Sequence, residues 1–420
     1  MSRPLRVLLE RQPPRARNPG KAGLDMDEAR FDVVIIGGAV MGSAAAFWLT
    51  RLAGQGLKVL VLEADPSYAR ASTALSVASI RQQFSNPINV KISRYGIDFI
   101  KNIASHAGPE CGLSDLGFTE NGYLFLAGSA ANAALMRDLQ QMQRAEGAAT
   151  VLLDSGALAA RFPWLALEGV TMGSFGPRDE GWFDNMGLLS ALKNAARAAG
   201  ACFRKARACA LSRDGGRVTG VTLEDGTRIA CGAVVSAAGT SAAAVMRMLD
   251  EKLPVEPRKR TVFLIDAPNA RHRNAPLLVD HTGFYLRPEG QHWICATVPD
   301  QDGPADPEDF EPDHHLFEDV IWERLYARAP GFDAVKVLRC WAGHYAYNSF
   351  DQNAIVGRWP GLENMYLMNG FSGHGLQQAP AIGRGIAELI TSGAYQSLDL
   401  RPLAPERIFE NRPFVEKAVV

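Results

Sequence analysis

Short runs of apolar residues, separated by glycine-rich or polar turns, divide the chain into predicted strands and helices. Phe31 to Ile36 is an apolar, β-branched run that stops at Gly37-Gly38. Met41 to Leu52 follows with the alanine-rich character of a helix, and Lys58 to Glu63 is a second strand-like run. This order of strand, glycine turn, helix and strand predicts a βαβ unit.

The middle of the chain has strand-like runs joined by turns that are typical of β-hairpins. Ala201 to Leu211, Arg217 to Leu223 and Arg228 to Ser236 are separated by Asp214-Gly215-Gly216 and Glu224-Asp225-Gly226. Turns that combine aspartate and glycine between such runs indicate tight hairpins. We therefore expect a three-stranded meander in this region.

The rest of the chain is richer in strands and ends on a helix. More strand-like runs lie between Leu253 and Val298, and an acidic, proline-containing loop, Asp300 to Glu311, precedes a helical stretch, Leu316 to Arg328. Near the C-terminus, Met365 to Met368 is strand-like and Gln377 to Ile390 is helical. A glycine-rich turn joins these last two elements.

Composition favours a folded protein that binds small molecules. The chain has 420 residues, of which 47% are hydrophobic and 21% charged, so it can bury a large core divided into two lobes. The formal net charge of -1 provides no basic excess for binding nucleic acid. No apolar run approaches the roughly 18 residues that span a bilayer, which leaves a peripheral membrane contact open.

The cysteines have no spacing typical of zinc sites or disulfide frameworks, which predicts buried, reduced thiols. They are Cys111, Cys202, Cys209, Cys231, Cys295 and Cys340. Reduced thiols indicate a reducing compartment, so we expect the protein in the cytoplasm, with peripheral contact to the inner membrane left open.

Residues 1–30 are rich in arginine and proline and are expected to form a disordered N-terminal extension, either a targeting segment or a tail before a start at Met26.

The turn after the first predicted strand has the features of a dinucleotide-binding loop. It consists of Gly37, Gly38, Ala39, Val40, Met41 and Gly42. Gly37 allows the tight turn, and Gly42 lets the helix pack closely on the strand, although Ala39 replaces the usual middle glycine. Glu63, followed by Ala64 at the end of the second strand, is expected to accept hydrogen bonds from both hydroxyls of the adenosine ribose.

NAD and FAD share this loop, so the choice between them depends on two later segments. The predicted strand that ends in Ala237-Ala238-Gly239 has small residues at its end, which let the chain pass close under the FAD phosphates. Gly370 to Leu376 is a glycine-rich turn before a helix, whose N-terminus would stabilise negative charge on a reduced flavin. Both segments favour FAD.

Together with Ala71-Ser72-Thr73, these segments resemble the superfamily of D-amino-acid oxidases, sarcosine oxidases and glycine oxidases. The resemblance extends over nearly the whole chain after Phe31. Ser76 to Ser85, Trp341 to Gly357 and Gly370 to Pro380 are more similar still to the branch of FAD-dependent oxidoreductase domain-containing proteins. The resemblance implies an α/β (α+β) protein with a Rossmann-like FAD-binding domain and a substrate domain built on a mixed, largely antiparallel sheet.

The resemblance also implies domain boundaries and cofactor contacts. The FAD-binding domain is expected at 31–110, 184–252 and 343–395, the substrate domain at 111–183 and 253–342, and a C-terminal tail at 396–420. FAD is expected to be held non-covalently. Beyond the loop and Glu63, the implied contacts are Ser72, Thr73, Ser76, Ala208, Ala238, Gly239, Gly370, Gly373, His374, Gly375, Leu376 and Gln377.

Five candidate catalytic positions follow from the same resemblance, namely Arg81, Tyr285, Arg287, His344 and His374. Arg81 is expected to contact the flavin or a substrate carboxylate, the alternative being an ion pair with an internal acid. Arg287 and Tyr285 share a face of one predicted strand, and either could point to the pocket, while a surface position for Arg287 stays open. His374 is expected near the flavin.

His344 lies close to the position at which some sarcosine oxidases carry the cysteine that bonds covalently to FAD. Tyr345, Tyr347 and Asn348 could equally line a substrate pocket. His314-His315 lacks the spacing of a metal site, and we predict no metal.

Two lysines of the sarcosine oxidase pattern are replaced in this chain. Those enzymes carry a lysine that holds the substrate carboxylate at the position of Gln377, and an oxygen-activating lysine on the strand that here contains Ile294. Without these cations, electrons are expected to leave to a quinone or an electron-transfer protein more readily than to O2.

The predicted reaction is oxidation of the C–N bond of a small secondary amine or N-substituted amino acid, of the sarcosine, dimethylglycine or iminodiacetate type, to an imine that water hydrolyses. The alternative is an FAD-binding assembly or scaffold protein for a respiratory complex, in which the flavin is structural. Reduction of the flavin by a substrate distinguishes the two.

Overall fold

The structure is a computed structural model that describes residues 30–54 and 56–417. The predicted N-terminal extension lies outside the described residues except for Arg30, which begins the first strand. In chain order, the strands are β1 Arg30–Ile36, β2 Val59–Glu63, β3 Ser79–Ile80, β4 Tyr123–Ala127, β5 Val151–Leu153, β6 Met172–Gly176, β7 Gly181–Trp182, β8 Cys202–Lys205, β9 Ala208–Asp214, β10 Arg217–Leu223, β11 Arg228–Ser236, β12 Val255–Asp266, β13 Leu277–Val279, β14 Phe284–Glu289, β15 His292–Thr297, β16 Lys336–Asn348, β17 Ile355–Arg358 and β18 Met365–Asn369.

The helices are interspersed with these strands along the chain. They are α1 Val40–Leu52, α2 Ser72–Leu75, α3 Pro87–Lys101, α4 Ile103–Ala107, α5 Ala130–Ala145, α6 Ser155–Arg161, α7 Asn185–Ala198, α8 Ala242–Arg247, α9 Trp322–Arg328, α10 Gly375–Ser392 and α11 Glu406–Phe409. A π-helical turn, Phe317–Ile321, leads directly into α9.

The first sheet is the middle of three layers. Its strand order is β17-β18-β11-β1-β2-β8, and β18, β11, β1, β2 and β8 run parallel. Val33 and Ile35 pack among α1, α3, α7 and α10 on one face, whereas Val34 and Ile36 pack toward β9, β10 and α8 on the other. A parallel strand buried on both faces needs a continuous apolar run, which is the pattern seen in the sequence.

The predicted meander differs from the observed one at its first strand. β9, β10 and β11 pair antiparallel as a meander, but the run from Ala201 divides at Ala206-Arg207. Its first part, β8, pairs in parallel with β2, with Cys202 opposite Leu60. The division occurs because β8 follows α7 and extends the parallel sheet.

The second sheet has the order β16-β12-β15-β14-β13-β4-β6-β5. Only the β13–β4 pair in it is parallel, so the prediction of a mixed, largely antiparallel sheet is confirmed. One face packs against α9, and the other carries Tyr123, Val262 and Tyr285. β16 belongs to this sheet along its whole length and crosses the boundary predicted at residue 343; the domain limits themselves stay a prediction.

The six cysteine thiols differ in their exposure. All six thiols are free, but Cys202 and Cys209 are exposed, so the expectation that all are buried is wrong. Both lie on strands of the first sheet at positions that face solvent.

Within residues 30–54 and 56–417, no helix is long and apolar enough to cross a membrane.

Candidate functional site

A cavity of about 650 Å³ lies at the carboxyl ends of β11, β1 and β2, beneath the second sheet. Ligands of open α/β sheets bind in this crevice because the loops after parallel strands meet there. The predicted site residues that line it are Gly37, Ala39, Val40, Met41, Glu63, Ala64, Ser72, Thr73, Ser76, Arg81, Ala208, Ala238, Gly239, Tyr285, His344, Gly373, His374, Gly375, Leu376 and Gln377. Four predicted residues lie outside the lining, namely Gly38, Gly42, Gly370 and Arg287.

The loop between β1 and α1 has the geometry needed to hold a phosphate. Gly37 has a φ of +101°, a conformation that residues with a side chain rarely adopt. A Cβ on Gly42 would lie 1.8 Å from the carbonyl oxygen of Gly37, so only glycine allows α1 to start this close to the turn. The first turn of α1 has no N-cap side chain and no acidic residue, and the N–H of Val40 donates to the hydroxyl of Thr73 at 3.4 Å. The positive dipole end of the helix therefore faces the cavity without a carboxylate to neutralise it.

Glu63 connects the end of β2 to this loop. One carboxylate oxygen accepts the amide N–H of Gly38 at 2.8 Å, and the other accepts the N–H of Asp65 at 2.8 Å. Glu63 also lines the cavity. It therefore holds the phosphate loop in place, in addition to the ribose contact predicted for it.

A second helix N-terminus faces the same cavity. α10 begins at Gly375, has no side-chain cap and has no acidic residue in its first turn. Gly373 has a φ of +95°, and a Cβ there would lie 2.7 Å from the ring of Tyr345. The glycine turn thus lets the chain pass against an aromatic ring and present the positive end of α10 to the cavity.

Arg81 and His374 form a buried pair on the cavity wall. Arg81 is 3% exposed, and its Nη2 lies 2.8 Å from Nε2 of His374. Because a guanidinium only donates, Nε2 of the imidazole is the acceptor in this contact. The guanidinium also lies 4.5 Å from the ring centre of Phe84 and 5.2 Å from that of Phe125.

The backbone around Arg81 is fixed by side chains from distant parts of the chain. Oε1 of Gln377 accepts the N–H of Arg81 at 2.8 Å, and the hydroxyl of Ser93 donates to its carbonyl oxygen. Glu180 accepts the N–H of Gln82 at 2.7 Å and the side-chain amide of Gln83 at 2.8 Å. Burial raises the pKa of Glu180 to about 7. These contacts hold the Arg81 segment against the cavity.

The second sheet supplies an aromatic wall. Tyr123, Tyr285 and Tyr345 come from β4, β14 and β16 and line the cavity together. Burial raises the pKa of all three phenols, so they stay protonated at neutral pH. Arg260 on β12 lies 5.1 Å from the ring centre of Tyr345 and forms a bidentate ion pair with Asp302, at 2.7 and 2.9 Å.

The structure corrects the expectation that Arg287 could reach the pocket. Its Nε and Nη2 donate to the carbonyl oxygen of Val77 at 3.2 and 2.9 Å, and its Nη1 pairs with Glu289. The side chain is 4% exposed, so the surface position is wrong as well. Tyr285 and Arg287 do share a face of β14, but only Tyr285 lies over the cavity.

His344 lines the cavity and is hydrogen-bonded to the acidic loop. Its Nε2 lies 2.8 Å from the carbonyl oxygen of Asp309, to which it donates, and its ring packs 4.4 Å from that of Phe310. Burial lowers the pKa of His344, which favours the neutral imidazole. Its Nδ1 is buried without a partner among the described residues and is therefore an acceptor available to a ligand. Of the residues predicted beside it, Tyr345 lines the cavity, whereas Tyr347 and Asn348 do not.

Several lining residues were not predicted from the sequence. Arg260 and Tyr123 each lie on a strand whose alternation predicts two faces but does not indicate which face meets the cavity. Asp302, which does not line the cavity but pairs with Arg260, lies in the acidic loop after β15, which a sequence pattern marks only as polar. No group of histidine, cysteine, aspartate and glutamate side chains in the described part of the chain could hold a metal ion.

Comparison with known proteins finds relatives over nearly the whole chain. The DAO family, described as "FAD dependent oxidoreductase", matches residues 32–389. FAD-dependent oxidoreductase domain-containing protein 1 of Bos taurus is 39% identical over 423 residues, covering 93% of this chain and 86% of the relative. N-methyl-L-tryptophan oxidase of Salmonella enteritidis PT4 is 26% identical over 402 residues, covering 90% of this chain and 99% of the relative.

A solved structure shares the same architecture. L-proline dehydrogenase of P. horikoshii aligns with a TM-score of 0.80 and 26% sequence identity, covering 92% of this chain and 100% of that protein. The two-sheet arrangement around the cavity therefore matches an experimentally determined fold.

Proposed function

The chain belongs to the DAO family of FAD-dependent oxidoreductases, and from this premise we propose that it oxidises the C–N bond of a small secondary amine or N-substituted amino acid. The product is an imine, which water hydrolyses. The observation that carries the proposal is the buried Arg81 on the wall of a cavity that three tyrosines also line. A guanidinium is suited to a substrate carboxylate, and the aromatic wall to an N-alkyl group.

FAD is the cofactor of this family, and the cavity suits it. The Gly37 turn and the start of α1 would hold the pyrophosphate, and Glu63 the adenosine ribose. The unpartnered Nδ1 of His344 would accept a hydrogen bond from a cofactor hydroxyl. The start of α10 would face the flavin. We propose that the binding is non-covalent, because His344 already uses Nε2 on Asp309.

Two relatives support a secondary amine. One is named for N-methyl-L-tryptophan and the other for L-proline, and both substrates combine a secondary amine with a carboxylate. The substrate of this chain would carry the same two groups, and Arg81 would bind its carboxylate. Its N-substituent would lie among Tyr123, Tyr285 and Tyr345.

The residues of the cavity would orient the substrate and exclude water. Bound FAD would accept the two electrons that are removed when the C–N bond is oxidised. Arg81 would fix the carboxylate, and the bond to His374 would fix Arg81. The three tyrosines cannot accept a proton because burial keeps them protonated. The amine is expected to enter as the neutral base, so oxidation should speed up as pH rises toward the amine pKa.

The test is reduction of the bound flavin by substrates in the absence of air. The purified protein is expected to be yellow and to release FAD on acid denaturation. Sarcosine, dimethylglycine, iminodiacetate, proline and D-amino acids are then mixed anaerobically with the protein, and we expect an N-substituted amino acid to bleach the visible flavin band. Bound FAD that none of these amines bleaches would contradict the proposal and favour a structural flavin. Colour that stays with the precipitated chain would contradict non-covalent binding.

A second prediction concerns the electron acceptor. No lysine lines the described part of the cavity, Gln377 is bound to the backbone of Arg81, and Ile294 is buried in the second sheet. Arg287, a possible substitute cation, is turned away toward Val77. Reduced enzyme is therefore expected to react with a ubiquinone analogue at least about tenfold faster than with O2, a barrier difference near 1.4 kcal/mol.

The measurement uses a single preparation reduced anaerobically by substrate. One portion is mixed with air-saturated buffer and another with the quinone, and the return of flavin absorbance is followed in both. Dithionite-reduced enzyme is the control, because it shows whether bound product alters either rate. Reoxidation by O2 as fast as turnover would make the protein a true oxidase.

A further inference from the structure

The Arg260–Asp302 ion pair is part of the substrate end of the cavity. Arg260 lines the cavity and is 4% exposed. Its two terminal nitrogens donate to the two carboxylate oxygens of Asp302, at 2.7 and 2.9 Å. A bidentate pair of this kind fixes the plane and direction of a guanidinium. Asp302 therefore sets the position of Arg260 beside Tyr345.

The neighbouring charges leave this wall neutral. Arg258, two residues before Arg260 on β12, pairs with Glu256 and lies 3.7 Å from Asp302. The two arginines and two carboxylates of this group sum to zero formal charge. A ligand that approaches this wall thus meets a guanidinium whose charge is already compensated.

Arg260 makes hydrogen bonds with three of its five N–H groups, because Nη1 donates to the carbonyl oxygen of Lys259 at 3.1 Å and to Asp302, and Nη2 donates once to Asp302. Its Nε is buried and has no hydrogen-bond partner among the described residues. A carboxylate binds a guanidinium best through two parallel bonds. The fork formed by the two terminal nitrogens of Arg260 is already occupied by Asp302.

We propose that Asp302 is a specificity-determining residue that neutralises Arg260 and so makes the cavity select monocarboxylates over dicarboxylates. The inference rests on the proposed function and narrows its substrate class from sarcosine and iminodiacetate types to the sarcosine type. A second carboxylate would lie beside that of Asp302, where like charges repel and both desolvated groups compete for one guanidinium.

The experiment measures binding of two unreactive acids to the FAD-loaded protein. Methoxyacetate and diglycolate are the ether counterparts of sarcosine and iminodiacetate, and their dissociation constants are obtained from changes in the visible flavin spectrum. Wild-type protein is expected to bind methoxyacetate more tightly than diglycolate. Asp302→Asn keeps the shape of the side chain and removes its charge, so it is expected to improve diglycolate binding at least about tenfold relative to methoxyacetate.

Two further variants make the result specific. Asp300→Asn removes a carboxylate from the same loop that is 82% exposed and 3.6 Å from Arg324, and it is expected to leave the ratio unchanged. Arg260→Gln leaves Arg258, Glu256 and Asp302 with a net formal charge of −1, so it is expected to shift the ratio in the opposite direction, against diglycolate. Retained FAD and methoxyacetate binding show that each variant is folded.

The possible failures can be told apart. An unchanged ratio in both Asp302→Asn and Arg260→Gln, with wild-type protein binding methoxyacetate, would overturn the selectivity inference and leave the proposed function intact. Wild-type protein that binds neither acid and is reduced by no amine would contradict the proposed function, and with it the inference. Tighter binding of diglycolate than methoxyacetate by wild-type protein would also overturn the inference.

Discussion

Gly42→Ala is expected to yield protein that retains at least about tenfold less FAD than wild type. The added Cβ would lie 1.8 Å from the carbonyl oxygen of Gly37 and 3.0 Å from its carbonyl carbon, far closer than van der Waals contact. The turn cannot retreat, because the N–H of Gly37 donates to Leu62 and the carbonyl of Ile36 accepts the N–H of Ala237. The start of α1 must therefore move away from the position in which its amides hold the pyrophosphate.

The measurement is the visible flavin absorbance per mole of purified protein, before and after incubation with added FAD. Gly156→Ala is the matched control, because a Cβ at this position in α6 would meet its nearest atom, a carboxylate oxygen of Asp154, at 3.5 Å. That substitution is expected to leave FAD content unchanged and to stabilise the helix by up to about 1 kcal/mol. Full FAD occupancy in soluble Gly42→Ala protein would mean that the cofactor does not depend on this contact.

The cofactor half of the cavity could be predicted because its determinants are local in sequence. The tight turn, the close helix start and the acidic end of the second strand lie within Gly37 to Glu63, and each imposes a residue type by geometry alone. The second glycine turn, Gly370 to Gly375, could be predicted for the same reason. One detail was missing, namely that Glu63 also accepts the N–H of Gly38. A backbone partner of this kind depends on distances that the sequence does not contain.

The substrate half could be predicted only in outline. Tyr123, Tyr285 and Tyr345 are far apart in the chain and meet because β4, β14 and β16 belong to one sheet. Alternation correctly predicted that Tyr285 and Arg287 share a face, but it does not say which end of the strand lies over the cavity. Arg287 lies beyond that edge and hydrogen-bonds the carbonyl of Val77 instead.

The different roles of the carboxylates in the acidic loop could not be predicted from the sequence either. From the sequence, residues 300–311 form a polar, proline-containing connection with several equivalent carboxylates. In the structure, Asp302 is bound to a buried arginine, Asp309 pairs with Lys259, and Asp300 is largely exposed. Only the register of β12 under this loop distinguishes them, and that register is set by pairing between β12 and β16.

Arg81→Gln is expected to lower kcat/KM for an N-methyl amino acid by a factor on the order of 10³, while FAD content stays close to that of wild type. Glutamine removes the charge and the paired N–H groups with which a guanidinium binds a carboxylate, and each charge-assisted bond contributes about 1.5 to 3 kcal/mol. FAD is expected to remain because the phosphate loop, Glu63 and the start of α10 are not altered. Anaerobic flavin reduction over a range of substrate concentrations separates the change in KM from the change in kcat.

Substrate truncation distinguishes carboxylate binding from a general loss of structure at this position. The decarboxylated counterpart of the same N-methyl amino acid has no group for Arg81 to bind, so wild type and Arg81→Gln should reduce the flavin with it at similar rates. Arg161→Gln is the control for the substitution itself, because this arginine also lies over an aromatic ring, 4.5 Å from that of Phe175, but outside the cavity. An equal loss with both substrates would mean that Arg81 supports the cavity through His374 and the segment fixed by Glu180, and that the carboxylate is bound elsewhere. A loss confined to the amino acid would assign the carboxylate to Arg81, because no effect on folding can depend on a group that only the substrate carries.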